Sequence, residues 1–277
     1  MIVRVPGSSA NLGPGFDTLG MALTVHLEVG AGEPPAEGRP IDEHHPATIA
    51  HRAAGGSGPL WEHCAIPVGR GLGFSGAARV GGALLARAQQ AGGEPGEVAR
   101  ADVLTLVSEL EGHADNVAAS LYGGVVATAA GRVARVPVAV DAAVVVWIPS
   151  AVTKTDESRR SLGAPVPFDD VVFNLGRVAL LVAALASGDT DALRTAVEDR
   201  VHQPLRLDRV PASRAAIEAA YGAGAWAAWL SGSGPTVAAL CPPAAAPAVA
   251  AALPAGGHAK VLAIDLPGAQ IGPPYTS

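Results

Sequence analysis

Apolar residues alternate over residues 2–6 (IVRVP), and a period of two predicts a short strand there. A second alternation closes residues 18–29 in TVHLEV, and runs at 63–67, 125–129, 133–140 and 143–148 read as further strands. Over residues 75–90 the period lengthens to that of a helix. Ala77, Val80, Leu84, Leu85 and Ala88 can share one face, which leaves Arg79 and Arg87 able to point outward. Gly81 and Gly82 each cost that helix about 1 kcal/mol relative to Ala, so they predict close backbone packing. Asp102 can cap a second helix, with Val103, Leu106, Val107 and Leu110 at i, i+3, i+4 and i+7.

The second half alternates helices and short strands. A long helix is expected over 168–186, with Val171, Leu175, Val178, Val182 and Leu185 on one side, followed by helices over 189–202 and 212–221. Strand 225–230, a turn at 231–235, strand 236–240, helix 244–253 and strand 260–264 complete an α+β pattern. Residues 30–59 are rich in Gly, Pro and charge, with one short helix about 46–54. His44, His45 and His51 read as part of a solvated loop, because no Cys or carboxylate spacing completes a metal site. No internal repeat and no long linker separates the halves.

Composition narrows the class. With 277 residues, 49% hydrophobic and 16% charged, the chain can bury a sizeable core, filled mostly by Ala, Val and Gly because aromatics are only 4%. A net charge of −6, with Lys154 and Lys260 the only lysines, argues against nucleic acid as a partner. Cys64 and Cys241 lack CxxC spacing and read as free thiols. The first residues lack the apolar core of a signal peptide, and apolar runs such as 142–148 are of strand length, so a soluble cytoplasmic protein without a membrane partner is expected.

Candidate chemistry gathers in three places. Residues 67–78 (PVGRGLGFSGAA) set Gly69, Gly71, Gly73, Ser75 and Gly76 ahead of a helix. Such a loop is either a plain turn or an anion cradle, in which glycines let backbone N–H groups converge on an anion and the helix start adds its positive end. No Gly-Lys-Ser/Thr closes the loop, so it is not a Walker loop. Residues 7–17 form a Gly-, Ser- and Asn-rich loop in which Asn11 and Asp17 are either ligand contacts or ordinary loop polarity. Glu111, His113, Asp115 and Asn116 cluster within six residues, either as a charged helix end or as a site, and Asp115 can cap the helix that follows.

The ordered set SSANLGPGFD, PVGRGLGFSGAA and SGSGPT resembles the small-molecule kinase superfamily of galactokinase, homoserine kinase, mevalonate kinase and phosphomevalonate kinase. PGSSANLGPGFDTLG, EGHADNVAASLYGG, FNLGRVALL and HQPLR are similar to the homoserine kinase branch in particular. The resemblance spans nearly the whole chain apart from residues 30–59. It implies the two-lobed GHMP kinase fold, with a ribosomal-S5-like N-terminal lobe (1–149), a ferredoxin-like C-terminal lobe (150–277) and the site between them. It implies ATP phosphates over the loop at Pro67, Gly69, Gly71, Leu72, Gly73, Phe74, Ser75 and Gly76, with Gly232, Ser233 and Gly234 packed beneath. Mg²⁺ would be held by Ser75 and by Glu111, with Glu109 the second choice. L-Homoserine would be held by Asn11, Asp17, His113, Asp115, Arg159 and Arg206, while Asn11, Asp17 and Asn116 face the reacting hydroxyl. The implied reaction is ATP-dependent phosphorylation of L-homoserine in threonine biosynthesis, by a homodimer. Two forks of arginine suit a carboxylate in a way a lysine does not. Phe74 departs from the pattern, which has adjacent serines there, and the compressed 30–59 region is where such kinases contact adenine. Another acceptor, such as pantoate, mevalonate or a related amino acid, and a non-catalytic ligand-binding protein are the alternatives.

Overall fold

Two antiparallel sheets organise the chain, which a computed structural model describes over residues 1–93, 96–150 and 165–272. The first sheet contains β1 (Ile2–Ala10), β2 (Leu19–Ala31), β3 (Arg39–Ile41), β4 (Leu60–Cys64), β5 (Val125–Ala129), β6 (Arg132–Val136) and β11 (Gln270–Gly272). Its order is β11-β1-β2-β4-β3, and β5 pairs with the start of β2 and carries β6. The second contains β7 (Ala143–Pro149), β8 (Ala227–Leu230), β9 (Val237–Cys241) and β10 (Gly257–Leu262), in the order β10-β7-β9-β8. Helices α1 (Pro46–Ala53), α2 (Phe74–Ala91), α3 (Glu97–Glu111) and α4 (Asp115–Tyr122) belong with the first sheet, and α2 and α4 lie against β1 and β2. Helices α5 (Phe168–Ser187), α6 (Leu193–Ala196), α7 (Gln203–Leu207), α8 (Pro211–Gly222) and α9 (Ala246–Ala252) accompany the second. Helices segregated beside antiparallel sheets make the α+β class expected from the sequence.

The sheets are joined through core and backbone. One apolar cluster runs from Val3, Leu27 and Leu84 in the first to Val144, Trp229 and Leu240 in the second. After β10 the chain returns to the first sheet: Thr24 N–H donates to Ala263 O (3.0 Å), Asp265 N–H donates to Ala22 O (3.0 Å), and β11 pairs with β1. Thus β7 lies in the second sheet although it precedes residue 150, and β11 lies in the first.

Gly81 and Gly82 do mark close packing. A Cβ on Gly82 would sit 1.9 Å from Ala47 O of α1, and one on Gly81 would sit 2.9 Å from Val29 Cγ2. Both cysteines are free; burial pushes the Cys64 thiol up to about 11.

Several boundaries differ from the sequence pattern. β1 continues through residues 7–10, expected as loop, because Ser8 and Ser9 are buried with partners: Ser8 Oγ donates to Asn116 Oδ1 (2.8 Å) and Ser9 Oγ accepts from Trp229 Nε1 (3.0 Å). β4 lies three residues earlier than expected, where Trp61 covers Gly30. α3 starts at Glu97, before Asp102. The helix expected over 189–202 shrinks to α6, because the Asp199 carboxylate accepts from the N–H groups of Val201 (3.1 Å), His202 (2.9 Å) and Gln203 (2.6 Å) and starts α7 instead. On α5 the buried apolar residues are Leu181, Ala184 and Leu185, while Val171 and Leu175 are exposed. β3 and β11 are three residues each, too short to show a period. His51 is buried and its Nε2 meets Gln89 Oε1 (3.0 Å), whereas His45 caps α1 by accepting from Ala47 N–H (3.2 Å); only His44 is fully exposed.

Candidate active site

Between the sheets lies a cleft of about 510 Å³, and the glycine loop forms its floor. Gly69, Gly71 and Gly73 adopt φ of 67°, 76° and 70°, the left-handed region that glycine enters without penalty. Space matters as much: a Cβ on Gly71 would lie 2.3 Å from Ser231 O, and one on Gly73 2.2 Å from Ser8 Oγ. Gly73 is the N-cap of the 18-residue α2, so four unpaired N–H groups and the positive helix end open on the cleft. This is an anion cradle made by backbone. Phe74, the first residue of α2, sets its ring edge-on to His45 at 5.8 Å and forms the cleft wall with Pro46. Behind His45 sits the buried Glu62. Burial pushes its carboxyl up, but His45 (3.2 Å) and Arg39 outweigh that and hold it below its ordinary value.

The acidic wall forms where two helices meet. α3 stops at Gly112, whose φ of 80° is left-handed, and α4 begins at Asp115. Glu111, His113, Asp115 and Asn116 all line the cleft. His113 Nδ1 pairs with Asp115 Oδ1 (2.8 Å), which also accepts from Asn116 N–H (2.7 Å). Ser75 Oγ donates to Glu111 Oε1 (2.6 Å). A hydroxyl and a carboxylate oxygen are hard donors that fit Mg²⁺, an ion that completes its shell with water and phosphate oxygens. Among the described residues no group of three His, Cys, Asp or Glu side chains gathers for a metal, which leaves this two-donor site. Glu109 does not belong to it. Two residues along a helix turn it by about 200°, and Glu109 is exposed on the opposite face from Glu111.

Arg79 points inward, contrary to the helical-face reading. One turn after Ser75, its guanidinium contacts both Ser75 Oγ and Glu111 Oε1. Burial lowers its pKa, yet a guanidinium remains charged. Arg70 also lines the cleft and its NH1 contacts Pro149 O.

The opposite wall comes from the first loop and the late glycine turn. Asn11 and Asp17 hold φ of 71° and 54°. Asn11 Oδ1 accepts from Asp17 N–H (3.1 Å), and its Nδ2 donates to Gly232 O (3.0 Å). Arg206 donates to the same carbonyl (3.1 Å) and to His202 Nδ1 (3.1 Å), with its guanidinium 5.3 Å from the Phe16 ring. His202 Nε2 donates to Gly13 O (2.7 Å), so Nδ1 is the bare nitrogen and the imidazole is neutral; burial lowers its pKa accordingly. Ser231 Oγ reaches Gly71 O (2.6 Å) and ties the second sheet to the phosphate loop, while Gly232 and Ser233 line the cleft. Gly234 and Pro67 do not line it; Gly234 packs under Gly71, where a Cβ would sit 2.9 Å from its carbonyl oxygen. Arg159 lies outside the described residues.

One cleft therefore joins Asn11, Asp17, the loop from Gly69 to Gly76, Glu111, His113, Asp115, Asn116, Arg206, Gly232 and Ser233. Sequence reasoning missed Arg70, Arg79, Ser8 and His202. Arg79 and His202 carried a signal, each standing four residues, one helical turn, from a residue singled out (Ser75 and Arg206).

The chain is similar to known proteins over most of its length. The profile described as GHMP kinases N terminal domain matches residues 44–124, and that described as GHMP kinases C terminal matches residues 181–259. A homoserine kinase of Moorella thermoacetica is 42% identical over 275 residues, covering 91% of this chain and 92% of that protein. One from Streptomyces avermitilis is 40% identical and covers 98% and 95%. The crystal structure of a homoserine kinase from Cytophaga hutchinsonii superposes with a TM-score of 0.83 at 25% identity, covering 98% of this chain and 96% of that one.

Proposed function

The chain belongs to the GHMP kinases, in the group of the homoserine kinases, and from that premise we propose how its cleft phosphorylates L-homoserine. It is a phosphotransferase acting on an alcohol: the γ-phosphoryl group of ATP passes to the side-chain hydroxyl, leaving ADP and O-phospho-L-homoserine. The observation that carries the reading is a single cleft joining a backbone anion cradle at the start of α2 to two walls, one bearing Asp115 and the other Asp17 and Arg206.

The N–H groups of the glycine loop take the phosphates, and Ser233 and Gly232 close the pocket from the second sheet. Ser75 and Glu111 would hold Mg²⁺, which when bound neutralises phosphate charge. Arg206, with Arg159 as its proposed partner, forks onto the homoserine carboxylate. Asp17, Asp115 and His113 take the ammonium and position the hydroxyl, and Asn11 fixes Asp17 through its backbone N–H. Asn116 is no base. Its Oδ1 is occupied by Ser8, and the amide nitrogen it has left to offer is a donor. We therefore assign the hydroxyl proton to an oxygen of the transferring phosphoryl group, with Asp17 and Asn116 orienting the hydroxyl. In such a reaction positioning and electrostatics carry most of the acceleration. We further assign the protein to the cytoplasm, as a relative of soluble biosynthetic kinases, without a nucleic-acid partner on its net charge of −6, and to a homodimer on an exposed apolar row of α5.

Coupled ADP release tests the reading against homoserine, pantoate and mevalonate. Fastest turnover with homoserine is expected. Preference for another alcohol reassigns the acceptor, and no ADP release with any of them leaves only a ligand-binding protein. Loss of turnover in Asp17→Asn, whose amide keeps a hydrogen bond but takes no proton, with both substrates still bound normally, would give the proton to Asp17 and overturn the assignment.

A further inference from the structure

We infer that Arg79 is the resident cation of the metal position, so that a divalent ion enters only together with nucleotide phosphates. The two oxygens that suit Mg²⁺ lie 2.6 Å apart, and Arg79 NH1 contacts both. The pair is withdrawn from water, with side chains 19% and 9% exposed, so solvent screens it little. Glu111 Oε2 has only a distant neighbour, His113 Nε2 at 4.0 Å, so the guanidinium is its close charge partner among the described contacts. Arg79 Nε is buried without a hydrogen-bond partner among the described residues, an unpaired donor whose cost favours a move toward a new anion.

A divalent ion and a guanidinium cannot share Glu111 Oε1, because like charges at contact repel strongly where water is excluded. Entry of the ion requires Arg79 to leave, and a buried arginine leaves only toward another anion. The cleft holds one candidate place for such charge, the glycine cradle from Gly69 to Gly76, whose Ser75 stands about one turn from Arg79 along α2. Nucleotide phosphates bound there would take the guanidinium and release Glu111. Without nucleotide, the ion meets an acid already neutralised. Arg79 thereby acts as a specificity-determining residue for metal entry, and it stands on the same face as Ser75 by the helical repeat.

The inference rests on reading the cleft as a kinase site, and Mn²⁺ binding measured without homoserine or turnover tests it apart from that reading. Free Mn²⁺ is titrated by electron paramagnetic resonance into nucleotide-free wild type, Arg79→Met and the double variant Arg79→Met/Glu111→Gln, then again with saturating ADP. Arg79→Met should bind Mn²⁺ roughly tenfold tighter than wild type, a difference of about 1.4 kcal/mol. The double variant should lose that gain, and ADP should bring wild type and Arg79→Met together. Arg79→Gln, which removes the charge but keeps hydrogen-bonding capacity toward Ser75, should show the same gain and stands in if Arg79→Met does not fold. Equal or weaker Mn²⁺ binding by the uncharged variants, or a gain that survives Glu111→Gln, overturns the inference.

Discussion

Arg206 owes its place to a neutral histidine. His202 donates from Nε2 to Gly13 O and accepts from Arg206 at Nδ1, which holds the guanidinium on the cleft wall that also carries Asp17. Charged hydrogen bonds are worth about 1.5–3 kcal/mol, so Arg206→Ala should lower kcat/KM for homoserine roughly 10- to 100-fold, with most of the loss in KM. Arg206→Lys should not restore it, because an ammonium lacks the fork. Steady-state kinetics at varied homoserine decide this, and a kcat/KM within a factor of about two of wild type would remove Arg206 from the site. His202 also makes a pH prediction. Its pKa in the folded protein lies below the ordinary value of 6.5 because burial disfavours the charged ring. In acid the unfolded chain therefore takes up a proton that the folded chain refuses, so this contribution to stability is intact above about pH 6.5 and is lost progressively below it. Melting temperatures of wild type should fall more steeply than those of His202→Asn between about pH 6.5 and 5; parallel curves would contradict the neutral tautomer. The residues nearest the chemistry stood in motifs and were legible. Arg79 was not, since a helical wheel tells which side chains share a face but not that the polar face of α2 looks into a cleft.

Packing separates glycines that look alike in the sequence. Gly82 in α2 and Gly176 in α5 both weaken a helix on propensity alone, by about 1 kcal/mol relative to Ala. A Cβ on Gly82 would strike the backbone of α1 at 1.9 Å from Ala47 O, whereas nothing lies within 4 Å of one on Gly176. Gly82→Ala should thus destabilise by about 1–3 kcal/mol, as overpacking does, and Gly176→Ala should stabilise by up to about 1 kcal/mol. Urea denaturation of the two variants checks both signs, and stabilisation by Gly82→Ala would mean that α1 and α2 pack less closely than described. The same contrast explains which elements were legible. Long helices with an apolar face and strands with clean alternation were readable. β1 was hidden because its second half buries serines that find partners in α4 and β8, and the helix expected over 189–202 failed because Asp199, held by Asn174 Nδ2 at 2.6 Å, turns the backbone. Both depend on side chains distant in sequence.

At the scale of the whole molecule, one surface lacks a partner among the described residues. Phe168, Val171, Val172 and Leu175 stand at i, i+3, i+4 and i+7 on α5 and are 78%, 37%, 51% and 66% exposed. That spacing is one stripe of a helix, the kind normally buried, and apolar patches of this sort mark interaction surfaces. α5 is also the one described helix long and apolar enough to cross a bilayer, with mean hydropathy 1.6. Its surroundings favour protein over lipid. Asp169 and Asp170 stand in its first turn, Arg177 pairs with Glu198 at 2.9 Å, and Arg200 pairs with Asp170 at 3.5 Å. Inserting such charges at the centre of a membrane costs about 2.5–3.5 kcal/mol each. A second copy presenting the same stripe about a two-fold axis buries it without moving the charges from water, an isologous contact. Wild type should accordingly sediment at twice the 27.6 kDa chain mass, and Leu175→Glu, an exposed position whose change leaves the core untouched, should sediment as a monomer with an unaltered melting curve shape. Wild type that remains monomeric at all concentrations, or a Leu175→Glu dimer as tight as wild type, would place the subunit contact elsewhere. Flotation of the wild type with anionic lipid vesicles, abolished by Leu175→Glu, would instead give the stripe to a membrane.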